Sequence, residues 1–321
     1  MRKVKLTVFG LMFCLLLHLT GCAAAQKPLR VTLVLKTVTE VAEFWGTLLS
    51  GVEKAAEEYG VELKVLTSPR EIDIDKQIEL IRQVTADKPD VMILSAADYD
   101  RCAEATEEAI AAGIGVVAID TDVNAAGRAC FVGSNSYEIG LEMGRAMASY
   151  LPEGGKVAVI QHMLTTTTGI ERTRGVLDAL NEAGNLAILG SFCCDNSTEQ
   201  AQTITTELLS ADPEIRGFVC TNEVCNVGAA NALVDLGLGG KVFVVGCDNS
   251  QRQIALLEQN IIQAIVIQRP FNMGYMAVQQ AVRVAQGETP EDFVEVACVL
   301  ITRENMYTQE NQKLLFPVME Q

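Results

Sequence analysis

From Arg30 onward, short apolar runs rich in β-branched residues alternate with longer stretches whose apolar residues recur every three or four positions. The first run, Val31–Leu35, predicts a strand. The stretch Phe44–Tyr59 predicts an amphipathic helix that ends at Gly60. Near-continuous apolar strands separated by helices are typical of a parallel sheet covered on both faces. Further predicted strands are Val61–Leu66, Val91–Leu94, Val116–Ile119, Lys156–Ile160, Ala187–Phe192, Gly217–Cys220, Val242–Gly246 and Ile262–Ile267.

The two halves of the chain repeat one local pattern. Gly115–Asp120 and Val242–Asp248 are both apolar strands that deliver an aspartate at the carboxyl end. This match indicates an internal duplication of an open α/β unit. We therefore predict an α/β fold of two doubly wound parallel-sheet lobes joined by a hinge of several strands.

Polar and aromatic residues follow the predicted strands in both halves. Open parallel sheets bind ligands just beyond the carboxyl ends of their strands, so these residues are the candidate site. Sugar hydroxyls both donate and accept hydrogen bonds, and a set of carboxylates, amides, a guanidinium and aromatic faces suits them. The candidates that this placement provides are Lys36, Phe44, Trp45, Asp120, Thr121, Arg172, Asn196, Asn222, Asp248 and Gln268.

Each candidate also has a purely structural interpretation. Trp45 is as well suited to a core as to a ligand face. Asn222 precedes Glu223 and suits a helix cap alone. Arg172 has Glu171 beside it for an exposed ion pair. Asp98 and Asp122 are interpreted as caps or supporting groups rather than ligand contacts.

A basic and then apolar leader precedes the duplicated region. Its apolar core, Leu6 to Leu19, is shorter than the roughly 20 residues that span a bilayer, so residues 1–21 are predicted to be a signal peptide. The sequence Leu19-Thr20-Gly21-Cys22 resembles the lipobox of bacterial lipoproteins. That resemblance implies lipidation of Cys22, a lipid-anchored linker over 22–28 and an extracytoplasmic location on the cell membrane.

Charge and composition narrow the function classes. The net charge of −16 becomes −19 once the three leader cations are removed, and so acidic a chain is not expected to bind nucleic acid. Of the ten cysteines, Cys14 lies in the leader and Cys22 is the candidate lipidation site. The other eight do not have the spacing of a zinc site and are interpreted as mostly free, buried thiols. The chain has two histidines, of which only His162 lies outside the leader. We expect neither a metal nor a cofactor.

Several motifs of the chain resemble the ribose-binding family of periplasmic proteins, the type I sugar receptors of bacterial ABC importers. The matching segments are Glu43-Phe44-Trp45, Val117-Ala118-Ile119-Asp120, Arg172-Thr173-Arg174-Gly175, Thr221-Asn222-Glu223, Val245-Gly246-Cys247-Asp248 and Ile267-Gln268. The resemblance implies sugar contacts at Phe44, Trp45, Asp120, Arg172, Asn222, Asp248 and Gln268. It also implies three crossings between lobes, a monomer, and permease subunits as partners. It implies an N-terminal lobe of 29–134 plus 269–297 and a C-terminal lobe of 135–268 plus 298–321.

The chain also departs from the family pattern. Thr121 stands where ribose binders often have Arg, and Asn196 where they have a second aromatic. The loop after the first strand carries Lys36 and Glu43, which become additional ligand candidates. Lys36 with Asp120-Thr121-Asp122 is similar to receptors for a furanone-type quorum signal.

Our leading hypothesis is a substrate-binding component of an ABC importer that closes on a monosaccharide or similar polyhydroxylated solute. The first alternative is a receptor for a membrane kinase or chemotaxis protein, and the second is a binder of the furanone-type signal. Catalysis is disfavoured because no Gly-x-Gly-x-x-Gly turn, Gly-x-Ser-x-Gly elbow or nucleophile–base set is present. A related repressor would need a basic DNA-binding headpiece in place of the leader.

Overall fold

A computed structural model describes residues 27–37 and 43–316, and the candidate lipidation site Cys22 lies outside these residues. The strands of the described region are β1 Arg30–Leu35, β2 Glu62–Thr67, β3 Val91–Leu94, β4 Gly115–Ile119, β5 Cys130–Gly133, β6 Gly155–Gln161, β7 Leu186–Cys193, β8 Ile215–Cys220, β9 Phe243–Cys247, β10 Ala264–Ile267, β11 Phe293–Glu295 and β12 Val299–Thr302. The helices there are α1 Glu43–Tyr59, α2 Ile74–Asp87, α3 Ala103–Ala111, α4 Ser136–Tyr150, α5 Thr167–Ala183, α6 Thr198–Ala211, α7 Glu223–Asp235, α8 Gln251–Glu258, α9 Pro270–Ala285 and α10 Gln309–Leu315.

The strands form two six-stranded sheets of matching order. One sheet runs β11-β5-β4-β3-β1-β2 and the other β12-β10-β9-β8-β6-β7. Strands β1 to β5 therefore correspond to β6 to β10, which confirms the predicted α/β fold of two doubly wound lobes. The second sheet departs from a purely parallel arrangement at its edge, where β12 pairs antiparallel with β10.

Each sheet carries apolar side chains on both faces. Leu33 and Ile93 pack on one face of the first sheet, while Val34 and Met92 pack on the other. In the second sheet, Phe218 faces one cluster and Val219 the other. The central strand β3 is buried at every residue because helices cover both faces of the sheet, whereas every residue of the edge strand β2 is at least partly exposed.

The chain passes between the sheets three times. It leaves the first sheet after β5, returns after β10 with α9, which packs against α1, and crosses again between β11 and β12. Strands β5, β11 and β12, which contribute to these crossings, were missing from the elements predicted by the apolar pattern. Each has only three or four residues, and such short runs carry little periodicity.

Helices α4 and α5 pack with almost no space between their backbones. A Cβ atom added at Gly140 would lie 2.2 Å from the backbone oxygen of Arg172, and one added at Gly175 would lie 2.2 Å from that of Tyr137. Glycine is therefore required on both sides of this contact. The contact holds α5 close against α4 and fixes the backbone from which Arg172 projects.

Candidate functional site

The carboxyl ends of the strands of both sheets face one cavity between the lobes. It contains about 510 Å³ of space unoccupied by atoms, including solvent at its mouth. Nine of the eleven candidate residues line it, namely Lys36, Phe44, Trp45, Asp120, Arg172, Asn196, Asn222, Asp248 and Gln268.

Two candidates lie elsewhere. Glu43 is exposed, and its Oε1 accepts a hydrogen bond from the backbone N–H of Gln251 at 3.2 Å. Thr121 is fully buried behind the cavity, where its hydroxyl donates to the backbone oxygen of Ala96 at 2.7 Å. Neither side chain is therefore placed to touch a solute in this cavity.

Six further residues line the cavity, and the positions of the strand ends alone did not identify them. They are Thr37, Glu71, His162, Thr168, Glu223 and Val224. Of these, Glu71 and Glu223 add two carboxyl groups to those of Asp120 and Asp248.

Asp120 and Asp248 occupy equivalent positions in the two lobes. Each follows its strand with a left-handed backbone, at φ 63° for Asp120 and 69° for Asp248. Each backbone N–H donates to the neighbouring strand, to the oxygen of Val132 at 3.0 Å and to that of Val266 at 2.9 Å. Asp and Asn tolerate this conformation better than other non-glycine residues. The duplicated turn thus places one carboxylate at each rim.

The first-lobe rim is built around Lys36. Its Nζ lies 2.7 Å from Glu71 Oε1 and 3.4 Å from Asp120 Oδ2, with all three side chains buried. Burial alone would lower the pKa of Lys36, but the adjacent carboxylates of Glu71 and Asp120 outweigh it and raise the pKa. The ammonium also lies 5.8 Å from the centre of the Trp45 ring. Lys36 is therefore a charged group with its partners already in place.

The second-lobe rim is built around Arg172, which is 2% exposed. Its Nη1 donates to the backbone oxygen of Thr221 at 2.9 Å and lies 3.8 Å from Asp248 Oδ2. Its Nε is buried and has no hydrogen-bond partner among the described residues. Asp248 in turn accepts from Gln268 Nε2 at 2.7 Å. The Glu171 pairing considered for Arg172 is made by Arg174 instead.

His162 lies between the two rims as an uncharged group. Burial is the largest cause of a pKa well below the usual 6.5, followed by the charges of Lys36 and Arg172. Its Nδ1 is 2.8 Å from the Thr221 hydroxyl and its Nε2 is 3.3 Å from that of Thr168. The imidazole therefore contributes hydrogen bonding but no positive charge near neutral pH.

The structure is that of a closed cleft. Asn196 of the second lobe donates from Nδ2 to Glu71 Oε2 of the first lobe at 2.9 Å. The backbone N–H of Tyr99 donates across the cleft to the backbone oxygen of Thr165, also at 2.9 Å. Residues of both lobes therefore enclose the cavity.

Asn222 has a structural role as well as a place at the cavity. Its Oδ1 accepts from the N–H of Cys225 at 3.1 Å and caps helix α7. Its Nδ2 donates to Asn196 Oδ1 at 2.8 Å. Trp45 likewise has both roles, since it lines the cavity and belongs to the apolar core of the first lobe. For these two residues, the structural and ligand-facing interpretations are compatible.

The described part of the chain contains no group of three or more His, Cys, Asp or Glu side chains arranged to hold a metal ion. Its eight cysteines are free thiols. Within residues 27–37 and 43–316, no helix has the length and apolar character needed to cross a bilayer.

Comparisons with known proteins agree with this geometry. A family model described as a periplasmic binding protein domain matches residues 32–289. The D-ribose/D-allose-binding protein of Pseudomonas aeruginosa is 26% identical, with 83% of this chain and 85% of that protein aligned. The ribose import binding protein RbsB of Escherichia coli is 24% identical over 89% of this chain and 95% of that protein. The crystal structure of a sugar transporter from Clostridium phytofermentans superposes with a TM-score of 0.79 at 30% identity, covering 85% of this chain and 98% of that one.

Proposed function

Because this chain belongs to the periplasmic binding protein family, we propose that it is the extracytoplasmic substrate-binding component of an ABC transporter. It captures a monosaccharide or a similar small polyhydroxylated solute between its lobes and delivers it to a membrane permease. The names of its relatives support this proposal, since one is a D-ribose/D-allose-binding protein and another a ribose import binding protein. Import is accordingly favoured over sensing and over recognition of a furanone-type signal.

One observation carries the proposal: a closed cavity in which unsatisfied hydrogen-bonding capacity of both lobes faces a single solute. Arg172 keeps a buried Nε donor without a partner among the described residues. The carboxylates of Asp120 and Asp248 offer acceptors, and the Phe44–Trp45 pair offers an aromatic surface, with ring centres 5.1 Å apart. Hydroxyl groups are both donors and acceptors and so match this mixture.

The individual ligand contacts are part of this proposal. We assign the nine cavity-lining candidates as sugar contacts and exclude Glu43 and Thr121, which lie outside the cavity. His162 supplies hydrogen bonds without acting as a base, since both ring nitrogens already face hydroxyl groups. The protein binds its solute without transforming it.

Anchoring and lobe division complete the proposal. Cys22 carries the lipid that attaches the receptor to the cell membrane, and 22–28 is the linker. The lobes are 29–134 plus 269–297 and 135–268 plus 298–321, which agrees with β11 lying in the first sheet and β12 in the second. The receptor acts as a monomer.

A thermal-shift screen of residues 26–321 against pentoses, hexoses, polyols and nucleosides tests the function. A ligand at 100 times its Kd raises the free energy of unfolding by about 2.7 kcal/mol, which gives a clear shift. Trp45 is the single tryptophan of the chain and lines the cavity, so its fluorescence provides a second readout. The proposal is wrong if no member of the panel stabilises the protein or changes this fluorescence.

A further inference from the structure

Glu71 is a buried carboxylate that joins the two lobes. It lies four residues after the end of β2, between the exposed Arg70 and Ile72, yet it is itself only 5% exposed. Its Oε1 lies 2.7 Å from Lys36 Nζ within the first lobe. Its Oε2 accepts the hydrogen bond from Asn196 of the second lobe. Both oxygens of one carboxylate are therefore occupied, one by a cation and one by the opposite lobe.

Each cation that lines the cavity already has a carboxylate beside it. The two positive side chains there are Lys36 and Arg172. Lys36 has Glu71 and Asp120 as partners, and Arg172 has Asp248. His162 carries no charge near neutral pH because its pKa is lowered. An anionic ligand would therefore be buried among carboxylates without a counter-charge, which is strongly unfavourable.

Removal of the Glu71 charge would leave Lys36 with one carboxylate partner instead of two. Lys36 would keep only Asp120, whose carboxylate is 3.4 Å away rather than 2.7 Å. The compact ammonium of lysine has three donors, so it would then have bonding capacity for an incoming anion.

We propose that Glu71 is a specificity-determining residue that neutralises Lys36 and so reserves the closed cavity for uncharged sugars. Sugar phosphates and sugar acids are excluded by charge rather than by size. This inference rests on the proposed function as a sugar receptor and adds the class of sugar and the residue that selects it.

Wild-type protein and matched sugar pairs provide the first test. The pairs are D-ribose with D-ribose 5-phosphate, D-glucose with D-glucuronate, and D-galactose with D-galacturonate, each titrated by calorimetry and by Trp45 fluorescence. We expect the uncharged member of any pair that binds to have at least 100-fold higher affinity. Equal or tighter binding of the anionic member would overturn this inference while leaving sugar binding intact. Failure of every sugar to bind would overturn the proposed function and this inference with it.

The Glu71→Gln variant provides the second test. It keeps the side-chain length and an oxygen that accepts from Asn196, but it removes the charge. In Glu71→Gln, we expect the preference for the uncharged member to fall at least tenfold because the anionic member binds more tightly. We expect the double variant Lys36→Met/Glu71→Gln to lose that gain in affinity for the anionic member. Glu43→Gln is the matched control, because Glu43 also reaches the second lobe but has no contact with Lys36. An unchanged preference in a folded Glu71→Gln protein would overturn the proposal, and the wild-type titrations decide it if that variant fails to fold.

Discussion

The two rims of the cleft use the same backbone turn and different counter-charges. Asp120 and Asp248 both come directly after their strands in the left-handed conformation. At the first rim, the cation is Lys36, a compact charge between two carboxylates. At the second rim, the cation is Arg172, a planar group with one nearby carboxylate and one buried donor left unpartnered among the described residues.

This difference shows how a duplicated scaffold can divide the work of a binding site. The cation of the first rim lies close to two carboxylates, so we expect this rim to set which charges are admitted. The second rim keeps a buried donor that has no partner among the described residues, so we expect this rim to supply more of the affinity. Duplication provides the backbone positions, and the side chains that surround each aspartate then determine its role.

The largest effect expected from this comparison is the loss of Arg172. We expect Arg172→Met to lower ligand affinity roughly 100-fold or more, because hydrogen bonds to charged groups contribute about 1.5–3 kcal/mol each and Asp248 loses its cation. Titration followed by Trp45 fluorescence measures the change. Arg174→Met is the matched control, since Arg174 is exposed and stacks on Tyr137. A loss below tenfold would contradict the division of roles between the rims.

A smaller effect is expected from neutralising the two aspartates. Asparagine tolerates the left-handed backbone that both positions require, whereas alanine would add backbone strain to the result. We expect at least a tenfold loss of affinity from each substitution, with Asp248→Asn the larger. Lys36 keeps Glu71 when Asp120 is neutralised, whereas Arg172 keeps no described carboxylate within 4.0 Å when Asp248 is neutralised. Calorimetric titration of both variants checks the order, and a reversed order would contradict it.

The strand-end residues of the site were predictable from sequence because a parallel sheet gathers the carboxyl ends of its strands at one edge. Asp120, Asp248 and Gln268 each stand directly after a buried apolar run, and the structure places all three at the cavity. Whether these residues contact a ligand stays a prediction. Glu43 and Thr121 show the limit of this reasoning, since adjacency to a strand or a motif does not decide which way a side chain projects.

Glu71 could not be found in this way. It lies in a turn, where the sequence pattern does not indicate which side chains are buried. Its significance comes from its contacts with Lys36 and Asn196, which are distant in the sequence. The apolar pattern of the sequence also predicts a helix over Glu171–Ala183, whereas helix α5 begins at Thr167. The cap at Thr166, which accepts from the N–H of Gly169, begins the helix one turn earlier. A run of four threonines offers several equivalent cap positions, and tertiary contacts select one.

A third prediction concerns Glu223, three residues past the end of β8, where the first lobe has Ala97 at the same distance from β3. Burial is the largest cause that raises the pKa of Glu223 to about 7, with Asp248 and Glu43 adding to it. Because folding raises this pKa, the native state binds the proton of Glu223 more tightly than the unfolded state does. The free energy of unfolding therefore falls as the pH rises from about 4.5 to about 7.

We therefore expect Glu223→Gln to be more stable than the wild-type protein at pH 8 by on the order of 2 kcal/mol, and nearly equal to it at pH 4.5. Urea midpoints at the two pH values measure the difference in the free energy of unfolding. Glu207→Gln is the matched control, since it removes an exposed carboxyl outside the cavity and should leave stability nearly unchanged at both pH values. If Glu223→Gln and the wild-type protein differed in free energy of unfolding by the same amount at both pH values, the raised pKa of Glu223 would be contradicted.

The smallest effect tests whether the position of the second-rim aspartate depends on the helix beside it. Helix α8 begins three residues after Asp248, and Ser250 caps it reciprocally with Gln253. The first lobe has no helix at the equivalent place, and its loop is held by an ion pair between Arg128 and Asp122 at 2.6 Å. We expect Ser250→Ala to lower the free energy of unfolding by about 1 kcal/mol, the usual cost of a lost cap, and to change ligand affinity less than threefold.

Thr308→Ala is the matched control. It removes the cap of helix α10, which does not line the cavity, and should lower the free energy of unfolding by a similar amount. A tenfold loss of affinity in Ser250→Ala alone would show that the helix cap, rather than the hydrogen bond from Asp248 to Val266, positions the carboxylate.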